Sequence, residues 1–379
     1  MNRRILSLGL AAALMIGIGI AVLAGHGSGS PSTSASGSAS AQGSSSLTTV
    51  RGVIGSEKAP FFADPSVVAA LARHGYRVVV DTAGSREMAT STDLTKYDFA
   101  FPAGAPQGQA IKAKMKAKAA YVPFFTPMAI ATFAPIVTIL TAATMVTTAA
   151  DGHAVLNVAK YLDAVAHRKR WSDIDTTGVY NPTKAVLISS TDVRTSNSAA
   201  MYLSIASYVA NQGAIVDAAG TADQLIPQLA PLFLEQGFLA SSSEEPFTDY
   251  LTIGIGKDPM VMVYEAQFRG AQIAKNPDLT DKTVLLYPSP TVYAKHTIVP
   301  FDGNGDAVAQ LLLTDPDLQH LAVRFGFRTA DAAYMQTFAQ QQALPQLPAL
   351  VDVVEPPDFT ILERMINAIS AKYTGVPSP

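Results

Sequence analysis

The sequence predicts an α/β protein of two lobes, the second inserted into the first. Three observations lead there. Apolar runs of strand length alternate with helical patterns along most of the chain. One long apolar stretch, Tyr121–Thr132, leads away from the first group of elements, and another, Thr291–Pro300, leads back. Finally, 379 residues with 48% hydrophobic content are enough for two domains with buried cores.

The elements follow in order. Val50–Ile54 reads as the first strand and ends at Gly55-Ser56. Asp64-Pro65 opens a helix, Asp as the cap and Pro in the first turn, with Val67, Val68, Leu71 and Ala72 on one face. Tyr76–Val80 is a second strand, ending near Gly84-Ser85, and Asp98–Phe101 a third, followed by a Lys-rich helix from about Gln107. Strand, helix, strand with short connections implies parallel pairing. Ala154–His167 and Ser198–Asn211 read as helices, and Lys184–Ser189, Pro259–Tyr264 and Thr283–Tyr287 as strands. Helices are expected at about Gly305–Leu313, Pro316–Phe325 and from Asp358 to Tyr373. The lobes are expected to comprise residues 47–132 with 288–379, and 133–287.

Composition excludes several classes. A formal charge of −3 gives no basic field for nucleic acid. With no Cys, the chain has no disulfide, thiolate metal site, Cys nucleophile or lipid-bearing Cys. Asn2-Arg3-Arg4 precedes the uncharged run Ile5–Ala24, so residues 1–24 read as a cleaved secretory signal or a retained anchor. Either places the rest outside the cytoplasmic membrane, with membrane contact only through that segment. Residues 25–46, rich in Gly and Ser, read as a disordered linker. A second uncharged stretch, between Lys118 and Asp151, carries Pro123, Pro127 and Pro135 and several Thr. It reads as a buried strand, a crossing and a helix rather than a membrane span.

In open α/β sheets, ligands sit beyond the carboxyl ends of the strands, where loops turn into helix N-termini with unpaired N–H groups. Four segments fit that place: Ser56-Glu57-Lys58 after the first strand, Ser85-Arg86 after the second, Thr195-Ser196 with Ser198 at a helix start, and Tyr264 at a strand end. Serine hydroxyls donate and accept. Lys58, Arg86 and Arg194 are candidates to neutralise an anion, or to form ion pairs with Glu57 or Asp192. Glu57 and Asp192 could instead receive a cationic or hydroxylated solute. Phe61, Phe62 and Phe124 read as core, and His153, His167 and His296 as ordinary surface or satisfied core groups. Asp302-Gly303-Asn304-Gly305-Asp306 begins like a calcium loop, but Ala307 and Leu313 stand where Gly and Glu are needed, so it reads as a turn into a helix. No metal, cofactor or catalytic motif is expected.

In its Gly55-Ser56 and Gly84-Ser85 loops, its serine-rich start at Thr195–Ser198, Val261–Glu265, Leu286-Tyr287-Pro288 with Ile298-Val299-Pro300, and Gly326-Phe327-Arg328, the chain resembles bacterial extracellular solute-binding proteins. The resemblance is to the type II periplasmic-binding class, notably its molybdate- and phosphate-binding-like branch, over about residues 49–330. It implies two lobes joined by two crossing strands and closing on a small polar solute, an oxyanion for that branch, for delivery to an ABC permease. It also implies solute contacts from Ser56 and Ser85 on one lobe and from Ser196, Ser198 and Tyr264 on the other. The alternatives are an extracytoplasmic sensor or assembly protein reusing the fold, and a hydrolase.

Overall fold

The computed structural model describes residues 46–237 and 239–373, so the expectations for residues 1–24 and nearly all of 25–46 lie outside the described residues. The first elements are β1 (Thr48–Ile54), a 3-10 turn over Ser56–Lys58, α1 (Ala59–Ala63), α2 (Pro65–Arg73), β2 (Tyr76–Thr82), α3 (Ser85–Thr90), β3 (Phe99–Phe101) and α4 (Ala105–Met115). Then come β4 (Tyr121–Phe133), α5 (Ala134–Ala142), β5 (Val146–Thr148), β6 (Ala154–Asn157), α6 (Val158–Ala166), α7 (Trp171–Ile174), α8 (Asn197–Ala210), α9 (Ala219–Leu229), α10 (Pro231–Leu234) and α11 (Glu244–Thr252). The remainder is β7 (Met260–Tyr264), α12 (Glu265–Ile273), β8 (Thr283–Ser289), β9 (Thr291–Pro300), α13 (Gly303–Thr314), α14 (Pro316–Arg324), α15 (Ala332–Gln341), β10 (Val353–Val354) and α16 (Phe359–Ser370).

β1 lies between β2 and β3, parallel to both, with Ile54 beside Thr82 and Phe101. β3 meets β9 antiparallel, Ala100 beside Val299. β4 and β9 are the outgoing and returning strands read from the sequence, and they cross between the two regions as the resemblance implied. The first half of β4 pairs with β9, Pro127 beside Tyr293. Its second half pairs antiparallel with β7 (Met128 beside Tyr264) and β8 (Ile130 beside Leu286). β6 runs parallel to β8, and β5 closes that edge. Two sheet regions are thus joined through two long strands, which makes a two-lobed α/β fold with the second lobe inserted into the first.

The caps explain several helix starts. Asp64, Asp302, Asp315 and Asp358 each accept backbone N–H bonds at the head of α2, α13, α14 and α16. Phe61, Phe101 and Phe124 are fully buried together against Phe327, at the junction of the first region with the crossing strands. Burial of each contributes about 1.5–3 kcal/mol relative to an exposed ring. The stretch 119–150 forms the expected strand and helix as β4 and α5, with the short β5 in addition, and no described helix is long and apolar enough to cross a membrane.

Two expectations are corrected. Ala154–His167 is a strand, β6, followed by the helix α6; the apolar residues of β6 run directly into those of α6, and periodicity cannot divide so short a run. Lys184–Ser189 is not a strand: it makes only isolated bridges, Ala185 with Arg170 and Ser189 with Val261. Its backbone bonds go to Lys169 on one side and Met260 on the other, so no continuous ladder forms.

α16 sits across both regions, packing on α9 and α8 and on α4. Its Arg364 holds Asp223 of α9 through two bonds of 2.8 and 2.5 Å, while its Glu363 accepts from Arg86 of α3 at 2.7 Å.

Candidate functional site

β1, β2 and β7 end at Ile54, Thr82 and Tyr264, and the segments that follow face one another. Between them lies a cavity of about 260 Å³ lined by Ser56, Glu57, Gly84, Ser85, Thr195, Ser196, Asn197 and Tyr264, together with Glu87 and Ser241–Ser243. All four segments named from the sequence therefore converge. Ser56, Glu57, Ser85, Thr195, Ser196 and Tyr264 line the cavity directly.

The other three named residues stand behind it. Ser198 is fully buried and bonds to Thr191 (2.8 Å) and Ser196 (3.0 Å), so it positions Ser196. Lys58 is fully buried beneath Glu57, with Nζ 4.8 Å from the centre of the Phe101 ring. Arg86 points away and clamps the regions together: it donates to the Arg194 carbonyl (2.8 Å), Glu363 (2.7 Å) and Asn367 (3.0 Å). Arg194 and Asp192 form a buried ion pair, so neither lines the cavity. Asn197 and Ser241–Ser243 were missed. The three serines follow no strand or motif that would single them out, and Asn197 reads in the sequence as one more helix-start residue.

The donor and acceptor inventory decides the chemistry. The Ser85 hydroxyl accepts from the Ala103 N–H at 3.0 Å and keeps its own proton to give. The Tyr264 hydroxyl accepts from Asn197 Nδ2 at 3.1 Å and likewise keeps a proton to give. Burial, reinforced by the nearby charge of Glu57, pushes this phenol far up, so it stays protonated. α8 begins at Asn197 with no side-chain cap, which leaves its first-turn N–H groups as further donors.

Two of the lining acceptors are carboxylates that already hold partners. Among the described lining residues, the charged ones are Glu57 and Glu87. Glu57 is ion-paired with Lys58 and lies 3.4 Å from His296 Nδ1. Burial would raise its carboxyl; the charges and hydrogen bonds of Lys58 and His296 outweigh that and hold it well below the usual range. Glu87 accepts from the Gly84 N–H at the head of α3 (3.4 Å). The cavity offers a solute donors on Ser85, on Tyr264 and at the head of α8, beside lining serine hydroxyls that both donate and accept and an Asn197 Oδ1 without a partner.

His296 corrects the sequence reading. It is fully buried on β9, with Nδ1 3.1 Å from Lys58 Nζ and Nε2 without a partner. Burial, then the Lys58 charge, brings it down to about 4, so the ring is neutral near pH 7. It stands behind the cavity wall against Lys58 and Glu57, and with Nε2 unpartnered it is not an ordinary satisfied core group.

Tyr264 is held by the residue after it. Arg328 grips Glu265 through two bonds of 2.7 and 2.6 Å, and Tyr287 donates to the same carboxylate at 2.6 Å. Across the cavity mouth, the Ser56 and Ser242 hydroxyls lie 3.4 Å apart.

No family model matches the sequence, and no curated protein matches it. Solved structures do. The chain is similar to the sulfate-binding protein SubI from Mycobacterium tuberculosis H37Rv, with 15% identity and a TM-score of 0.51 over 86% of this chain and 99% of that one. It is also similar to the periplasmic binding protein AfuA from Actinobacillus pleuropneumoniae, solved with fructose-6-phosphate bound, with 10% identity and a TM-score of 0.54 over 86% and 99%. The fold of this chain is that of these two-lobed binding proteins.

Proposed function

We propose that the protein is an extracytoplasmic solute-binding protein that closes two lobes around a small polar solute and delivers it to an ABC permease. The lobes are residues 47–132 with 288–379, and 133–287, hinged on β4 and β9. The observation that carries this reading is the convergence of Ser56, Ser85, Ser196, Ser241–Ser243 and Tyr264 on one cavity at the strand ends. The donors on Ser85, on Tyr264 and at the head of α8 suit a solute that carries acceptors, and an oxyanion is the simplest group of that kind. The solutes named for SubI and AfuA, sulfate and a sugar phosphate, share that chemistry. The role is binding, with no cofactor and no bond made or broken.

Calorimetric titration with sulfate, phosphate and molybdate, beside native mass spectrometry of the protein as purified from its own host, tests the reading. A 1:1 solute lost on Ser85→Ala and Tyr264→Phe supports it. A bound solute indifferent to both changes overturns the site.

A further inference from the structure

A second cavity, of about 610 Å³, adjoins the first. The two share Ser56, Glu57, Ser243 and Tyr264. Beyond these residues the character of the wall changes. Phe247, Leu251, Ile273, Phe325 and Phe327 supply a mainly apolar lining, with Gln267, Asn276, Glu244 and Arg324 also on it. Phe247 and Phe327 are buried, and the Nε2 donor of Gln267 is buried without a partner. The serine-lined compartment alone is smaller than the ~300–1,000 Å³ usual for organic ligands, and the second compartment falls within it. A cavity of ~150 Å³ already admits benzene. An inorganic oxyanion would leave the larger compartment unused.

We infer that the solute is an organic anion: an acceptor-rich head, such as a sulfonate, carboxylate or phosphate monoester, on an alkyl or aryl body. The head sits among Ser85, Ser196, Asn197 and Tyr264. The body passes Glu57 into the Phe247–Phe327 compartment. The shared wall can carry a body past Glu57 because that carboxylate's charge is balanced by Lys58 beneath it. This inference rests on the solute-binding reading and adds the class of solute.

The test is a calorimetric series on the full chain with inorganic sulfate, methanesulfonate, 1-butanesulfonate and 1-hexanesulfonate. Affinity is expected to rise about fourfold per methylene, from ~0.8 kcal/mol for each one buried. Leu251→Trp, which fills the second compartment, removes the rise and leaves methanesulfonate unchanged. Ala271→Phe, on the same wall, is the second variant should the first fail to fold, with thermal melts reporting folding. Tyr264→Phe weakens every member. Equal affinity for methanesulfonate and hexanesulfonate, or a rise that survives both filling variants, overturns the inference. If sulfate then still binds and is lost on Tyr264→Phe, the solute-binding reading stands alone. If no sulfonate binds, the inference falls, and the wider reading is judged separately by the solute found in mass spectrometry.

Discussion

A Cβ on Gly84 would stand 2.6 Å from the carbonyl oxygen of Thr195. Gly84 has φ −63° and ψ 143°, open to any residue, so its own backbone does not require glycine. What requires it is contact between the loop after β2 and the loop before α8. Gly84→Ala is therefore expected to fold normally and to close poorly. Small-angle scattering should show a larger radius of gyration with saturating solute, and affinity should fall about tenfold, the effect of ~1.4 kcal/mol.

Tyr264→Phe removes one donor to the solute and the acceptor of Asn197 Nδ2. Leaving that buried amide unpaired is expected to cost about 1–3 kcal/mol of stability, read as a lower denaturant midpoint. Affinity should fall about tenfold as well. Unchanged stability would show that Asn197 finds another partner.

His296 gives the fold a pH dependence with a definite sign. Its folded value of about 4 lies below the ordinary 6.5, so the unfolded chain binds the extra proton first. The contribution is complete above 6.5 and is lost as pH falls through about 4. Its size is about 3 kcal/mol. His296→Gln should flatten the stability profile between those limits in urea titrations at stepped pH. A slope as steep as the parent's would assign the effect to other groups.

Arg328→Met takes the bidentate partner from the buried Glu265 carboxylate and leaves it the Tyr287 hydrogen bond and the Arg269 charge. Breaking such a pair costs about 3–5 kcal/mol. Because Glu265 directly follows Tyr264, binding should weaken along with the melting temperature. The double change Arg328→Met with Glu265→Gln should recover much of the stability.

Arg86→Ala removes the three bonds that tie α3 to Arg194, Glu363 and Asn367. The expected outcome is a protein more open without solute, seen by scattering, with faster solute release in stopped-flow measurements. Identical scattering for parent and variant would assign closure to the other contacts.

Much of this fold is legible because its signals are local. Asp64 before Pro65 and Asp358 before an apolar period mark helix starts whatever the rest of the chain does. Gly55-Ser56 and Gly84-Ser85 after apolar runs mark strand ends, and the fold brings those ends together. What is illegible depends on distance. Lys58 and His296 are 238 residues apart, and nothing near either one reports that they touch or that both are buried. The same holds for Arg86, whose partners lie on the loop before α8 and on α16; a surface cation and an interlobe clamp look alike in a sequence. Lys184–Ser189 fails for a related reason. Its apolar residues satisfy a strand pattern, but its two backbone partners lie on different elements.

The position of α16 has a consequence for timing. It is the last described helix, and it ties α3 to α9 through Glu363 and Arg364. Until synthesis reaches it, the Arg86–Arg194 contact lacks the support of Glu363 and Asn367, however well each half has packed. Order of emergence thereby becomes order of assembly: pocket walls first, the returning hinge strand β9 next, fastening last. A nascent chain halted at Pro357 should be cut by protease between β4 and β9 far faster than one released after Tyr373.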